Sequence, residues 1–161
     1  DGAGVAITVA AAQLIGELPQ RPMYSVRVVL FANEEQGIWG GKAYAKQYHY
    51  ELENYLFASE SDFGAGPVWR FDTANEALMA KAMPHLAALN IEKGGAASSG
   101  GPDIKPLLEA GVPVFQLKQD GTDYFDYHHT ADDTLDKIDA GELQQNIAAW
   151  AVVAFLAANM D

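Results

Sequence analysis

Short apolar runs alternate with helical patterns along this chain, and the polar residues that follow those runs are mostly acids and histidines. Val26 to Ala32 reads as a buried strand and feeds directly into Asn33-Glu34-Glu35-Gln36-Gly37. Tyr55 to Ser59 reads as a second strand and closes on Glu60-Ser61-Asp62. Val112 to Leu117 reads as a third and leads through an irregular loop to Tyr127-His128-His129. Strands that alternate with helices pack as a sheet flanked by helices. In open sheets of this kind, ligand sites gather beyond the carboxyl ends of the strands. The expected fold is therefore an α/β three-layer sandwich with a mostly parallel mixed sheet, and Glu34-Glu35, Glu60-Ser61-Asp62 and His128-His129 are expected at one end of it.

The intervening segments carry the helical signals. Val5 to Ile15, Gly40 to about His49, Asn75 to about Leu89 and Ala140 to about Asn159 read as helices, with Pro84 a kink or break in the third. In the last, Ala148, Val152, Phe155 and Leu156 recur at helical spacing. Asp103 reads as the N-cap of a helix from Ile104 to Ala110, which Gly111 stops. Val68 to Phe71 reads as a short strand, and Gly94 to Pro102 as a flexible connection.

At 161 residues, of which 49% are hydrophobic, the chain has the size of one domain with a substantial core. Asp and Glu number 22 against 10 Lys and Arg, a net charge of -12, which argues against nucleic acid or an anionic membrane surface as partner. There is no cysteine, so neither disulfides nor thiolate metal sites are available. No apolar run approaches the roughly 20 residues that a spanning helix needs.

Side chains alternate direction along an extended backbone, so one of two adjacent glutamates can ligate a cation while the other faces a neighbouring water as its base. Carboxylates and imidazoles far apart in sequence are suitable ligands for Zn²⁺. Glu35, Asp62 and His129 fit that description. Singly, each has a plainer reading as a turn former or cap.

Taken in order, Asp1-Gly2-Ala3-Gly4, Asn33-Glu34-Glu35-Gln36-Gly37, Glu60-Ser61-Asp62, Asp103-Ile104, Ala110-Gly111-Val112-Pro113 and His128-His129 with Asp133-Thr134 resemble metallopeptidase family 28. These are the co-catalytic zinc aminopeptidases and carboxypeptidases, and the resemblance is to their carboxypeptidase Q-like branch. It implies two zinc ions per complete site, Glu34 as general base, Glu35 and His129 as ligands of one zinc, and Asp62 as a ligand of the other. His128 stands where many relatives carry a tyrosine that donates to the oxyanion, which makes it a candidate for that role. A histidine and a bridging aspartate of the family pattern would precede Asp1, which itself matches the second acid of an Asp-Asp-Gly turn.

On that reading residues 1–161 are the C-terminal portion of a catalytic domain, incomplete on the N-terminal side of its sheet and inactive alone. The implied substrate is a small peptide or dipeptide, the implied location secreted or periplasmic, and a homodimer stands open. Trp39, Trp69, Tyr124 and Phe125 are candidates to line a side-chain pocket. Two rival classes remain: a glutaminyl cyclase-like acyltransferase, and a non-catalytic peptidase-like binding domain.

Overall fold

The computed structural model of the protein describes residues 2–96 and 99–160. The assignment of Asp1 to an Asp-Asp-Gly turn lies outside them. Six helices, α1 (Gly2–Glu17), α2 (Trp39–Gln47), α3 (Glu76–Leu86), α4 (Lys105–Glu109), α5 (Tyr124–Tyr127) and α6 (Ala140–Ala157), accompany three strands among the described residues, β1 (Val68–Thr73), β2 (Glu92–Lys93) and β3 (Phe115–Gln119). The sheet order is β2-β1-β3. β2 runs parallel to β1, and β3 runs antiparallel to it with Phe71 opposite Leu117 and Thr73 opposite Phe115. Beyond β3, Ala58 joins by a single parallel bridge to Val114.

The α/β expectation holds, with helices packed against the sheet. Val68, Phe71, Phe115 and Leu117 project into one core with Ile7 and Ala11 of α1, Leu78, Met79, Ala82 and Leu86 of α3, and Ala149, Trp150 and Val153 of α6. On α1 the buried positions Gly4, Ile7, Ala11 and Ile15 form the stripe, three or four residues apart, that packs toward α6. In a second cluster Leu107 and Val112 pack with Leu52, Tyr44 and Tyr48, which joins α2 to α4.

Several boundaries differ from expectation. The longest ladder is antiparallel, so the described sheet is mixed with no parallel majority. Val26 to Phe31 makes no ladder: Val26 and Leu30 are exposed, and the segment is held instead by Tyr24 N donating to Ala158 O at 3.0 Å and by Arg27 donating to the hydroxyls of Tyr44 and Tyr55. A strand is completed by backbone pairing, which sequence propensity alone does not supply. Between this segment and the core lies a cavity of about 830 Å³, lined by Val26 to Phe31, by Val5, Thr8 and Ala12 of α1, and by Tyr55 to Asp62.

Asp103 does not cap its helix. α4 begins at Lys105 behind Ile104, with no side-chain cap. Pro84 sits inside α3 without ending it, while Asn75 caps that helix by accepting from Leu78 N at 2.8 Å.

Candidate functional site

The Glu34-Glu35 pair sits on a tight reversal. Gly37 N and Ile38 N both donate to Glu34 O at 2.8 Å, and Gly40 N donates to Ala32 O at 3.0 Å. The reversal forces Asn33 and Ile38 into left-handed backbone conformations at φ 60 and φ 59. For a β-branched residue such as Ile38 this is a genuine outlier, and residues held this way cluster at functional sites. A side chain at Gly40 would collide with the backbone of Ala32, so the chain can double back only with glycine there. α2 departs immediately from this reversal.

His129 also takes a left-handed conformation, φ 60, just after α5. Its Nε2 lies 2.6 Å from Glu35 Oε1, although 94 residues separate the two in sequence. Both side chains are 58% exposed. The rings behind it form a stack. Phe63 lies 4.2 Å from Tyr124, Tyr124 lies 4.8 Å from His128, and His128 lies 3.7 Å from His129, all within 26° of parallel. His128 is therefore sandwiched between Tyr124 and His129.

Asp62 comes from the irregular segment that follows the Ala58 bridge. Burial raises its pKa, the charge of Glu35 raises it further, and His128 opposes the shift. The Tyr124 hydroxyl is raised by burial and by Asp62, Glu35, Asp133 and Glu34, so the phenol faces the same acidic group. Of the other aromatic candidates, Phe125 packs edge-on against Phe63 and His128 and stays 72% exposed, and Trp39 donates to Gln36 O on the Glu34 reversal. Trp69 instead stacks on the Arg70 guanidinium within β1.

Two residues given no site role from sequence join this group. Burial pushes Glu60 up to about 7, reinforced by the charges of Asp103 and Asp62 and opposed by the amides of Ile104 and Asp103. Asp103, 7% exposed, is raised by burial and by Glu34 and Asp62, while the Gly41 amide opposes the shift. Its Oδ1 is buried with no hydrogen-bond partner among the described residues. Glu60 had a signal in the sequence: it lies two positions before Asp62 on an extended segment, and such residues share a face. Asp103 had only its place among the ordered motifs, where capping explains an Asp before a helix equally well.

The structure thus brings Glu35 into contact with His129, with Glu34 on the same reversal and Asp62 near enough to feel the charge of Glu35. The donor set of carboxylates and imidazole, without thiolate, has the chemistry of a zinc or similar divalent site. Among the described residues, no three of His, Asp and Glu are grouped closely enough to hold a metal ion on their own. Glu35 with His129 is a pair, and Asp62 stands apart from it.

Comparison with known proteins places the chain in a family. The family model described as "Peptidase family M28" matches residues 1–154. Carboxypeptidase Q from Homo sapiens is 36% identical over 166 residues, and that from Mus musculus 34%, each alignment covering all of this chain and 35% of the relative. A crystal structure of a Peptidase M28 precursor from Shewanella amazonensis is 50% identical and superposes with a TM-score of 0.95, covering all of this chain and 37% of that one. An aminopeptidase from Aneurinibacillus, 24% identical with a TM-score of 0.69 over 96% of this chain and 38% of its own, shares the fold. The chain spans about a third of the length of the relatives it matches. These 161 residues belong to peptidase family M28.

Proposed function

We propose that the full-length protein carrying this chain is a zinc-dependent exopeptidase acting on small peptides or dipeptides. The observation that carries the proposal is the contact of Glu35 with His129, made at the reversal that also presents Glu34. Membership of family M28 and the similarity to carboxypeptidase Q support the reaction class. On this proposal Glu35 and His129 hold one zinc ion and Asp62 holds a second, with a histidine and a bridging aspartate supplied by other residues of the full-length protein. Zinc, when bound, supplies Lewis-acid polarisation of the scissile carbonyl.

The chain's own residues do the rest. Glu34 accepts the proton of the attacking water and passes it to the leaving amine. His128 donates to the oxyanion from its place between Tyr124 and His129. Phe125 and Trp39, both exposed beside the acids, offer apolar contact to a substrate side chain. Export to a secreted or periplasmic location completes the proposal. A relative described as a precursor agrees with it, and no helix among the described residues is long and apolar enough to cross a membrane.

The test separates base from ligand. In the full-length protein, Glu34→Ala should lower dipeptide turnover by about 10²- to 10⁴-fold with zinc content intact, the usual worth of a positioned acid-base group. Glu35→Ala should instead lose zinc, measured by elemental analysis. Zinc loss from the Glu34 variant would move that residue into the ligand set. Residues 1–161 alone offer at most two ligands to either ion, against the usual three, and should bind zinc only weakly in calorimetry.

A further inference from the structure

Glu60 does more in this structure than precede Asp62. Its Oε2 accepts hydrogen bonds from the backbone amides of Asp103 at 2.9 Å and Ile104 at 3.2 Å, residues more than 40 positions away. Hydrogen bonds from amides to a carboxylate are shorter and stronger than neutral ones. The Gly100–Ile104 loop is shaped around this clasp. At Gly101, φ +130, a Cβ would fall on the Glu60 carboxylate, and at Gly100, φ +77, it would fall on Ile104 Cδ1. Only glycine allows the loop to close this tightly.

The clasp holds Asp103 in a costly state. Asp103 is nearly fully buried, and its Oδ1 has no partner among the described residues. An unsatisfied buried oxygen of this kind costs about 1–3 kcal/mol, and more when charged. Asp103 also faces the charges of Glu34 and Asp62, and its carbonyl lies against Gly41 at the start of the helix that leaves the Glu34-Glu35 reversal. Glu34, Glu60, Asp62 and Asp103 all line the same cavity. A group kept there against its desolvation cost is held by something, and the hydrogen bonds on its own amide and the next come from Glu60.

We propose that Glu60 is a positioning residue of the hydrolytic site: by clasping the amides of Asp103 and Ile104 it staples the Gly100–Ile104 loop to the Asp62 segment, and so seats Asp103 beside Glu34. The proposal rests on the peptidase reading for its catalytic consequence and on geometry alone for the clasp. The two amides need an oxygen to accept them and do not need a charge, so glutamine can replace glutamate while alanine cannot.

The experiment uses the full-length protein and two readouts. Hydrogen exchange by mass spectrometry, on the metal-free protein, follows peptides covering Asp103 and Ile104. Steady-state hydrolysis of a dipeptide, normalised to folded and zinc-loaded molecules, gives kcat and KM separately. Glu60→Ala should speed exchange at these amides by at least about tenfold. It should also lower kcat by at least about tenfold with KM within about threefold, as expected when a catalytic group is displaced slightly. Glu60→Gln should restore both readouts to within about threefold of wild type.

Should Glu60→Ala fail to fold, Gly101→Ala takes its place, because the added methyl prises the loop off an intact Glu60. Unchanged exchange in these variants overturns the clasp. Faster exchange with unchanged kcat overturns the positioning role and leaves the clasp purely structural, as does a Gln variant that restores exchange and not kcat. A wild-type protein that hydrolyses no dipeptide overturns the peptidase reading, and the exchange data still decide the clasp.

Discussion

His128 illustrates how one residue can carry two readings that a single substitution would confuse. Its ring is stacked on both sides, by Tyr124 and by His129, so truncation removes a support for His129 along with any donor to the oxyanion. Phenylalanine keeps the stack and removes the donor. If the imidazole donates, His128→Ala and His128→Phe should both lower kcat by about 10²-fold or more, the usual loss of an oxyanion donor. Full turnover in the Phe variant would leave His128 with only a stacking role. Asp103 teaches a related lesson. An Asp before Ile104 reads as a helix cap from sequence, yet the helix starts later, and the carboxylate is turned inward among acids. Local sequence describes what a side chain can do for its own backbone, and it is silent on which distant strand end will lie against it.

Among the elements, the loop that follows Asp62 is suspended from α6 and β3. Asn146, fully buried on α6, donates to Gly66 O and Glu142 O at 2.9 Å and accepts from Gln119 at 2.9 Å, and Gln119 in turn donates to Gly64 O at 2.8 Å. Replacing Asn146 with Leu strands these partners without donors or acceptors. Urea unfolding should show a loss of at least about 2 kcal/mol, since unsatisfied buried groups cost about 1–3 kcal/mol each. The helices were legible in sequence because their signals are local. Asn75 and Asp139 cap α3 and α6, although the buried stripe of α6 is Asn146, Ala149, Trp150, Val153 and Ala157 and the expected Ala148, Val152, Phe155 and Leu156 are only partly buried. Strands were less so. Val68 to Thr73 found partners on both sides and became the centre of the sheet, whereas the more apolar Val26 to Phe31 found none among the described residues. Glu92 and Lys93 form β2 with no strand-like composition, because pairing with Arg70 and Phe71 decides the matter. For the candidate site, the meeting of Glu35 with His129 was legible, since both stand in ordered motifs after apolar runs. Glu60 as a clasp was not, since its partners are backbone amides that no motif marks.

At the scale of the whole molecule, three acids with raised pKa values meet around one cavity. Glu60 reaches about 7 because of burial, and Asp62 and Asp103 are raised for the same first reason. Each then binds its proton more tightly folded than unfolded, so in the window from the ordinary carboxylate range up to about 7 the native state holds more protons than the unfolded chain. Stability must fall as pH rises through that window. The urea midpoint of the metal-free protein should therefore decline from pH 5 toward about pH 7. A midpoint that climbs over this range would place these acids in water.

The same hollow has a mechanical consequence. The hollow of about 830 Å³ beneath the strand-like segment is open to solvent along part of its boundary, so water reaches it in the folded state. Compression gains only from internal voids that unfolding eliminates, and a hollow already wet is not one of them. Hydrostatic pressure should therefore act on this protein as an ordinary denaturant, with no volume recovered from behind the Val26 to Phe31 wall.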